Sequence, residues 1–386
     1  MVAAGGPVRV LGTGHSFNRI ADTGGTMIGL DLLDEPVVVD RERRTVSVPG
    51  GWTFGRLSTV LDEHGLALRN LGSLPHISIA GACATGTHGS GDRNGTIAGS
   101  VAALELVDGT GTVRNIDRTD PDFPGTVIAL GALGVVTRVT LDLVPAYEIR
   151  QRVYADLPLD DLGAHLDEIF SPFYSASVFT DWHRPHAHAW IKARPDQPLP
   201  EDGWLGTRRL TAPWHPIDGA APDACTPNLG EPGPWYARLP HFRLDFTPSS
   251  GDELQSEYYV PRDAAPDAFA ALRRLGPRIA PLALACEVRT LAAEDLWLSP
   301  AHDRPTVALH FTWKPDPDAV TALLPDVERA LAPYGPRTHW GKLATMPPDA
   351  IAAQYPYWSA FARLLPRYDP GGTFRNPYVN RLFPPG

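Results

Sequence analysis

The sequence predicts a two-domain α+β protein whose strands run mostly antiparallel. Three observations carry that expectation. At 386 residues the chain exceeds the size at which a single hydrophobic core keeps growing. Its β-type segments are short, alternate in polarity and pair around tight turns, while amphipathic helical patterns are few. Past Pro145 the composition changes, and residues 195–250 become dense in proline and tryptophan.

Hydrophobic residues at 43% and charged residues at 20% describe a soluble globular protein. A net charge of −10, with no basic run, argues against a nucleic-acid partner. The start MVAAGGPVRV lacks the regions of a signal peptide, and no apolar run is long enough to cross a bilayer. Cys83, Cys225 and Cys286 are isolated and odd in number, which suits a reducing cytoplasm. Lysine occurs only at 192, 314 and 342, so each one raises the question of why arginine was not used.

Taken in order, Val8 to Leu11 reads as a short strand ending in Gly12-Thr13-Gly14-His15-Ser16-Phe17. Phe17 stands where a dinucleotide fingerprint needs glycine, and no helical pattern follows, so a Rossmann turn is excluded. What remains is a tight turn presenting bare backbone, hydroxyls and an imidazole. Val37 to Asp40 and Thr45 to Val48 form a hairpin. Thr53 caps a helix with Phe54, Leu57, Val60 and Leu61 on one face, closed by Gly65. Leu71 to Gly91 is rich in glycine and hydroxyls, with two histidines and no Asp, Glu, Lys or Arg. Glycine at this density is costly inside a helix, so the stretch reads as loop and short turns able to approach an anionic ligand. A second hairpin, Val101 to Val107 with Thr112 to Asp117, turns at Asp108-Gly109-Thr110-Gly111. A long strand, Val135 to Val144, then stops at Pro145.

In the second half, residues 195–250 read as irregular coverings and edge strands. His183, His186 and His188 cluster, but no partner set at metal-ligand spacing follows, and a strand with surface or cavity histidines is the better reading. Asp263 to Leu275 and Asp318 to Leu331 form amphipathic helices. Two strands carry polar chemistry: Glu287 and Arg289 share one face of Cys286 to Thr290, and His310 and Thr312 one face of Leu309 to Trp313. If the two strands are neighbours, these four side chains line one patch. His339-Trp340-Gly341-Lys342 then spends one of the three lysines.

These segments together, Gly12 to Phe17, Leu74-Pro75-His76-Ile77-Ser78 with Thr85-Gly86-Thr87-His88-Gly89, Glu287-x-Arg289 and His339 to Lys342, resemble the vanillyl-alcohol oxidase family of flavoproteins. Within it they resemble the alditol oxidases, next to the sugar-lactone oxidases. The resemblance implies an FAD domain made of residues 1–146 and 344–386, with a substrate domain, 147–343, inserted between them. It implies a covalent bond from His15 to the flavin. Gly12, Thr13, Gly14, Ser16 and Phe17 would sit beside that bond, and Ser73, Ser78, Gly81, Thr85, Gly86, Thr87 and His88 would line the pyrophosphate and flavin. Val136 would lie near the adenine half. Ser73, Glu287, Arg289, His310, Thr312 and Lys342 match the family's polyol site. Family members carry a further N-terminal helix and strand before the equivalent of Val8. This sequence begins almost at that strand, which leaves either an upstream start or a smaller FAD subdomain with weaker cofactor loading.

The chemistry that the resemblance implies is oxidation of a terminal CH2OH of an alditol such as xylitol or sorbitol, with O2 reduced to H2O2. Arg289 and Lys342 would favour alkoxide character on the substrate oxygen. His310 would take the proton. Glu287 would hold Arg289 and accept from a hydroxyl, while Ser73 and Thr312 would bond further hydroxyls. Gly72, next to Ser73, would leave oxygen a path to the flavin. The alternatives are a sugar-lactone oxidase or dehydrogenase of the same family and a non-catalytic flavin or sugar binder. A nicotinamide dehydrogenase is disfavoured by the missing fingerprint. The expected partners are a small polyol and O2, with no metal, no nucleic acid and no membrane, and the chain is expected to act as a monomer.

Overall fold

The computed structural model describes residues 6–246 and 252–385. Val8–Leu11 pairs in parallel with Thr26–Gly29. Five antiparallel strands form a second sheet in the order Val38–Asp40, Thr45–Pro49, Val135–Asp142, Val101–Val107, Val113–Asp117. Phe54–Glu63 packs beside it. The Thr53 hydroxyl accepts from the Arg56 N–H at 3.3 Å, and Phe54, Leu57 and Leu61 are buried in the first core with Val46, Leu104 and Val139. Gly65, at φ +69°, ends that helix in a conformation that favours glycine.

A nine-stranded antiparallel sheet dominates the rest. Its centre runs His186–Ala193, Ser175–Thr180, Ala283–Leu291, Thr306–Trp313, Leu254–Pro261. Cys286, Val288, Leu309, Phe311, Tyr258 and Val260 lie in a second core with Phe269, Leu272, Val320 and Val327 from the helices Ala265–Ile279 and Pro317–Leu331. The residues between them, Glu287, Arg289, His310, Thr312, Gln255 and Glu257, line a cavity on the opposite face. Period two therefore divides the sheet into a face that packs and a face that does chemistry. Each large apolar side chain so buried contributes about 1.5–3 kcal/mol, and a slip of one residue would push the charges into the core, so the register is firmly held.

The C-terminal helix Trp358–Tyr368 returns to the first core through Phe361, Leu364, Leu365 and Tyr368. The last residues also close on the first strand. The Val8 N–H donates to Thr373 O at 2.7 Å. The buried Arg9 guanidinium donates to the carbonyls of Ile20, Leu130, Gly131 and Phe374.

Several local expectations need correction. Residues 79–84 of the glycine-rich stretch form a helix, Ile79–Ala84, rather than turns alone. It is one and a half turns long and buries Ile79, Ala82 and Cys83, so tertiary packing outweighs the cost of Gly81. The long strand is also not stopped by Pro145: it ends at Asp142, and Val144–Pro145 pairs with Leu66–Ala67 in another sheet. The first amphipathic helix continues past Leu275 to Ile279, through Pro277 in its last turn. Within 195–250, Arg208–Arg209 and Leu229–Pro234 add to the Glu148–Pro158 strand, and residues 247–250 lie outside the described residues. His186–Ala193 is a strand on which His186 is exposed and His188 stacks on Trp214, ring centroids 4.5 Å apart. Among the described residues no three His, Cys, Asp or Glu side chains gather as a metal-binding group.

Candidate active site

The turn after the first strand is held between two other loops. A Cβ on Gly12 would sit 2.1 Å from Ser78 Oγ, so a larger residue here would force the Ser78 hydroxyl out of its place where the two loops meet. On the other side, the Phe17 N–H donates to Gly341 O at 2.7 Å, and Asn18 Nδ2 donates to Trp340 O and Lys342 O, both at 2.8 Å. A Cβ on Gly341 would stand 3.0 Å from Ser16 Oγ. The His15 turn and Lys342 are thereby fixed against each other. Trp340, buried with its Nε1 donating to Leu298 O at 2.8 Å, anchors the lysine's loop from beneath.

Between this turn and the sheet lies a cavity of about 480 Å³. Gly12 to Ser16 line it, with Ser73, Ser78, Gly81, Thr85, Thr87, His88 and Val136. Glu287, Arg289, His310, Thr312 and Lys342 line it from the sheet side. Three expected residues stand just behind the wall instead. The Phe17 ring meets His15 edge-on at 5.4 Å. Gly86 turns toward Ile128 and Pro300. Gly72 has its α-carbon beside His88 O and the Thr87 methyl, each 3.6 Å from an added Cβ, and its φ lies outside the left-handed region.

The two polar strands are neighbours, with Glu287 directly opposite His310. The centre of the cluster is a residue that the sequence did not single out. Glu257, completely buried, accepts from Arg289 Nη2 through one oxygen and from Lys342 Nζ through the other, both at 2.7 Å. Burial alone would raise its pKa, but Lys342, Arg289 and His88 hold it well below the carboxylate range, so it is ionised. Lys342 Nζ also donates to His310 Nδ1 at 2.8 Å. His310 Nε2 then carries the hydrogen and donates to Thr312 Oγ1 at 3.0 Å. Burial, then the Lys342 charge, push His310 down to about 4, so its imidazole is neutral at neutral pH.

Glu287 and Arg289 form a buried ion pair, but no hydrogen bond joins them. Glu287 Oε2 stands 3.6 Å from Arg289 Nε, beyond a hydrogen bond, because Glu257 has taken the guanidinium. Glu287 Oε1 instead accepts from His241 Nε2 at 2.9 Å. Glu257, His241 and Lys192 are the residues missed. Their faint signals were a glutamate leading directly into the apolar run Tyr258-Tyr259-Val260 and a lysine in a chain that has three.

The cavity fits FAD on its own chemistry. The N–H groups of Thr13, Gly14, His15 and Ser16 find no acceptor among the described residues and open on a concavity suited to an anion. Residues 1–117 match the family described as FAD binding domain, and residues 252–382 match that described as D-arabinono-1,4-lactone oxidase. The solved structure of cholesterol oxidase from B. sterolicum superposes with a TM-score of 0.78 over 98% of this chain and 90% of its own, at 16% identity. Fold and cavity define an FAD-dependent oxidoreductase with the vanillyl-alcohol oxidase-type fold. An alditol oxidase from Streptomyces sp. strain IKD472 is 47% identical over 96% of this chain and 89% of its own length. An L-gulono-1,4-lactone dehydrogenase from Mycobacterium tuberculosis is 29% identical over 98% of this chain and 90% of its own. The chain belongs to the alditol oxidase family. No helix among the described residues is long and apolar enough to cross a membrane.

Proposed function

We propose that this protein oxidises the terminal CH2OH of an open-chain alditol, such as xylitol or sorbitol, to the aldose while O2 becomes H2O2. The observation that carries this reading is the pair of cations, Arg289 and Lys342, fastened to one buried carboxylate beside the neutral His310. His15 and the turn around it would hold FAD in the cleft, where it would supply the hydride acceptor and the route for electrons to O2.

The protein's own part is electrostatic and positional. As hydride leaves carbon, negative charge grows on the hydroxyl oxygen, and two preorganised cations stabilise it at little cost in reorganisation. Glu257 keeps Lys342 protonated against burial and the neighbouring Arg289, both of which lower its pKa. His310 Nδ1 holds a free lone pair once substrate oxygen replaces the Lys342 contact, and accepts the hydroxyl proton there. Arg289 Nε, buried without a partner, and Glu287 Oε2 face each other across 3.6 Å. A hydroxyl accepts from the first and donates to the second, which suits a polyol. Ser73 and Thr312 serve further hydroxyls.

The core under the large sheet, formed from Tyr154 to Leu331, supports an inserted substrate domain within 147–343, although Trp235, Leu296, Leu298 and Trp340 of that span pack into the first core with 20–143 and 346–383. Three buried, unpaired thiols support a cytoplasmic location, and we take the chain to work as a monomer. The match of residues 252–382 to a lactone oxidase family favours a sugar-lactone substrate as the second reading.

The deciding experiment is aerobic peroxide production and product analysis with xylitol, sorbitol and L-gulono-1,4-lactone. Aldose formation from the polyols supports the proposal, and turnover of the lactone alone refutes it. Lys342→Met should slow anaerobic xylitol-driven flavin reduction about a hundredfold, the effect of losing one oxyanion-type donor. A change confined to KM would instead make Lys342 a uniform binder.

A further inference from the structure

Two of the three lysines lie at this one site, and the reaction accounts only for Lys342. Lys192 is fully buried on the strand His186–Ala193, one strand removed from that of Glu287. Its three ammonium protons have three acceptors: Arg238 O at 3.0 Å, Leu239 O, and Nδ1 of His241 at 3.4 Å. No carboxylate among the described residues bonds to it. Burying an ammonium costs several kcal/mol, which carbonyl dipoles offset only in part. The anion in line is Glu287, on the far side of the imidazole, accepting from His241 Nε2 at 2.9 Å. An ammonium can only donate, so Nδ1 must accept and Nε2 must carry the hydrogen.

We propose that Lys192 and His241 are positioning residues for the substrate: Lys192 fixes the tautomer of His241, and His241 caps Glu287 Oε1 so that Oε2 is presented to the polyol hydroxyls. The proposal deepens the polyol reading and rests on it. Without the lysine, Nδ1 loses its donor and the imidazole is held at Nε2 alone, by the Glu287 contact, so Glu287 is less firmly placed. The other groups facing Lys192 are Glu287 and Arg289 on the strand Ala283–Leu291, and Cys225 on the segment bridged to Phe242. Burial pushes the Cys225 thiol up to about 12, so it stays neutral. Burial, opposed by Glu287, brings Lys192 down to about 7. Polyol affinity should therefore weaken as pH rises through that value and the ammonium loses its proton.

A purely structural lysine, tying down the carbonyls of Arg238 and Leu239, would cost stability when removed and nothing else. Lys192→Met in the FAD-loaded enzyme separates the two. KM for xylitol should rise roughly tenfold, as for loss of a charge-assisted hydrogen bond, with the flavin reduction rate constant little changed. The dependence of KM on pH near neutrality should disappear. In a His241→Gln background, where the amide still donates to Glu287, the same substitution should change KM less than about twofold, since the lysine acts through the imidazole. An equal rise in both backgrounds overturns the proposal. If Lys192→Met does not fold, nitrogen NMR of histidine-labelled wild-type holoenzyme decides, with His241 assigned by comparison with His241→Gln. An Nε2–H tautomer whose Nδ1 resonance shifts as pH passes through about 7 supports the proposal, and an Nδ1 resonance flat across that range, or a proton on Nδ1, overturns it. Wild-type enzyme that turns over no polyol refutes the polyol reading instead, and the pH response of the Nδ1 resonance still decides the link between Lys192 and His241.

Discussion

Glu257→Gln removes the one anion shared by Arg289 and Lys342. At 2.7 Å and an effective dielectric of about 20, each contact is worth about 6 kcal/mol of gross attraction. Desolvation of the three ions offsets much of that, and breaking one buried pair typically costs about 3–5 kcal/mol. The cheapest relief is for Lys342 to lose its proton, because Glu257 is the largest influence holding its pKa up against burial. A neutral amine no longer stabilises alkoxide character, so xylitol-driven flavin reduction at pH 7.5 should slow about 10²–10³-fold. The rate should recover about tenfold per pH unit on acidification, as Lys342 regains its proton. Anaerobic stopped-flow bleaching of the flavin at saturating xylitol across pH 5.5–9 measures this, with wild type run alongside as the reference. A variant that reduces its flavin at the wild-type rate, or one that is slow with no recovery in acid, would refute the reasoning.

Three further outcomes are expected. His15→Ala should release all its FAD colour on acid precipitation while the wild-type pellet stays yellow; colour lost from both shows that there is no covalent bond. Gly72→Ala should fold and load FAD normally, since its Cβ makes ordinary contacts at 3.6 Å and its φ is unstrained. Its reoxidation by O2 should slow while reduction by xylitol does not, and unchanged reoxidation removes Gly72 from the oxygen path. Asp108 lies at about 2 because, although burial raises its pKa, bonds from Thr110, Thr112 and Arg114 lower it further. With the folded pKa depressed, its stabilisation of about 2 kcal/mol is present above pH 4 and lost as pH falls toward 2. Melting temperatures of wild type and Asp108→Asn should therefore converge across that window, and a constant gap would show that the carboxylate charge is irrelevant.

The parity of a strand is a local property, which is why Glu287 with Arg289, and His310 with Thr312, could be assigned to one face from the alternation alone. Their adjacency is a single hairpin-like pairing and followed once the two strands were recognised. Glu257 was invisible for a different reason. It precedes both strands in the chain yet lies on the far side of the His310 strand, and its partner Lys342 is 85 residues away. Compensation of a buried charge is settled by sheet order, and no periodicity within Leu254–Pro261 reports it. The same holds for Lys192, whose acceptors come from the loop that ends in His241. The helix Ile79–Ala84 escaped because its stability comes from the core that it enters rather than from its residues' own preferences.

The bonds from Val8 and Arg9 to Thr373 and Phe374 place two segments far apart in sequence in one structural unit. Asn376 extends that unit by donating to the carbonyls of Arg19, Ile20 and Asp22. On the ribosome the first of these residues emerges long before the last. The His15 loop must therefore wait, with its strand unclosed, until the inserted sheet has been made and the tail has been released. A truncation that removes Thr373 to Asn376 would therefore leave the first strand and the His15 turn without the segment that closes on them.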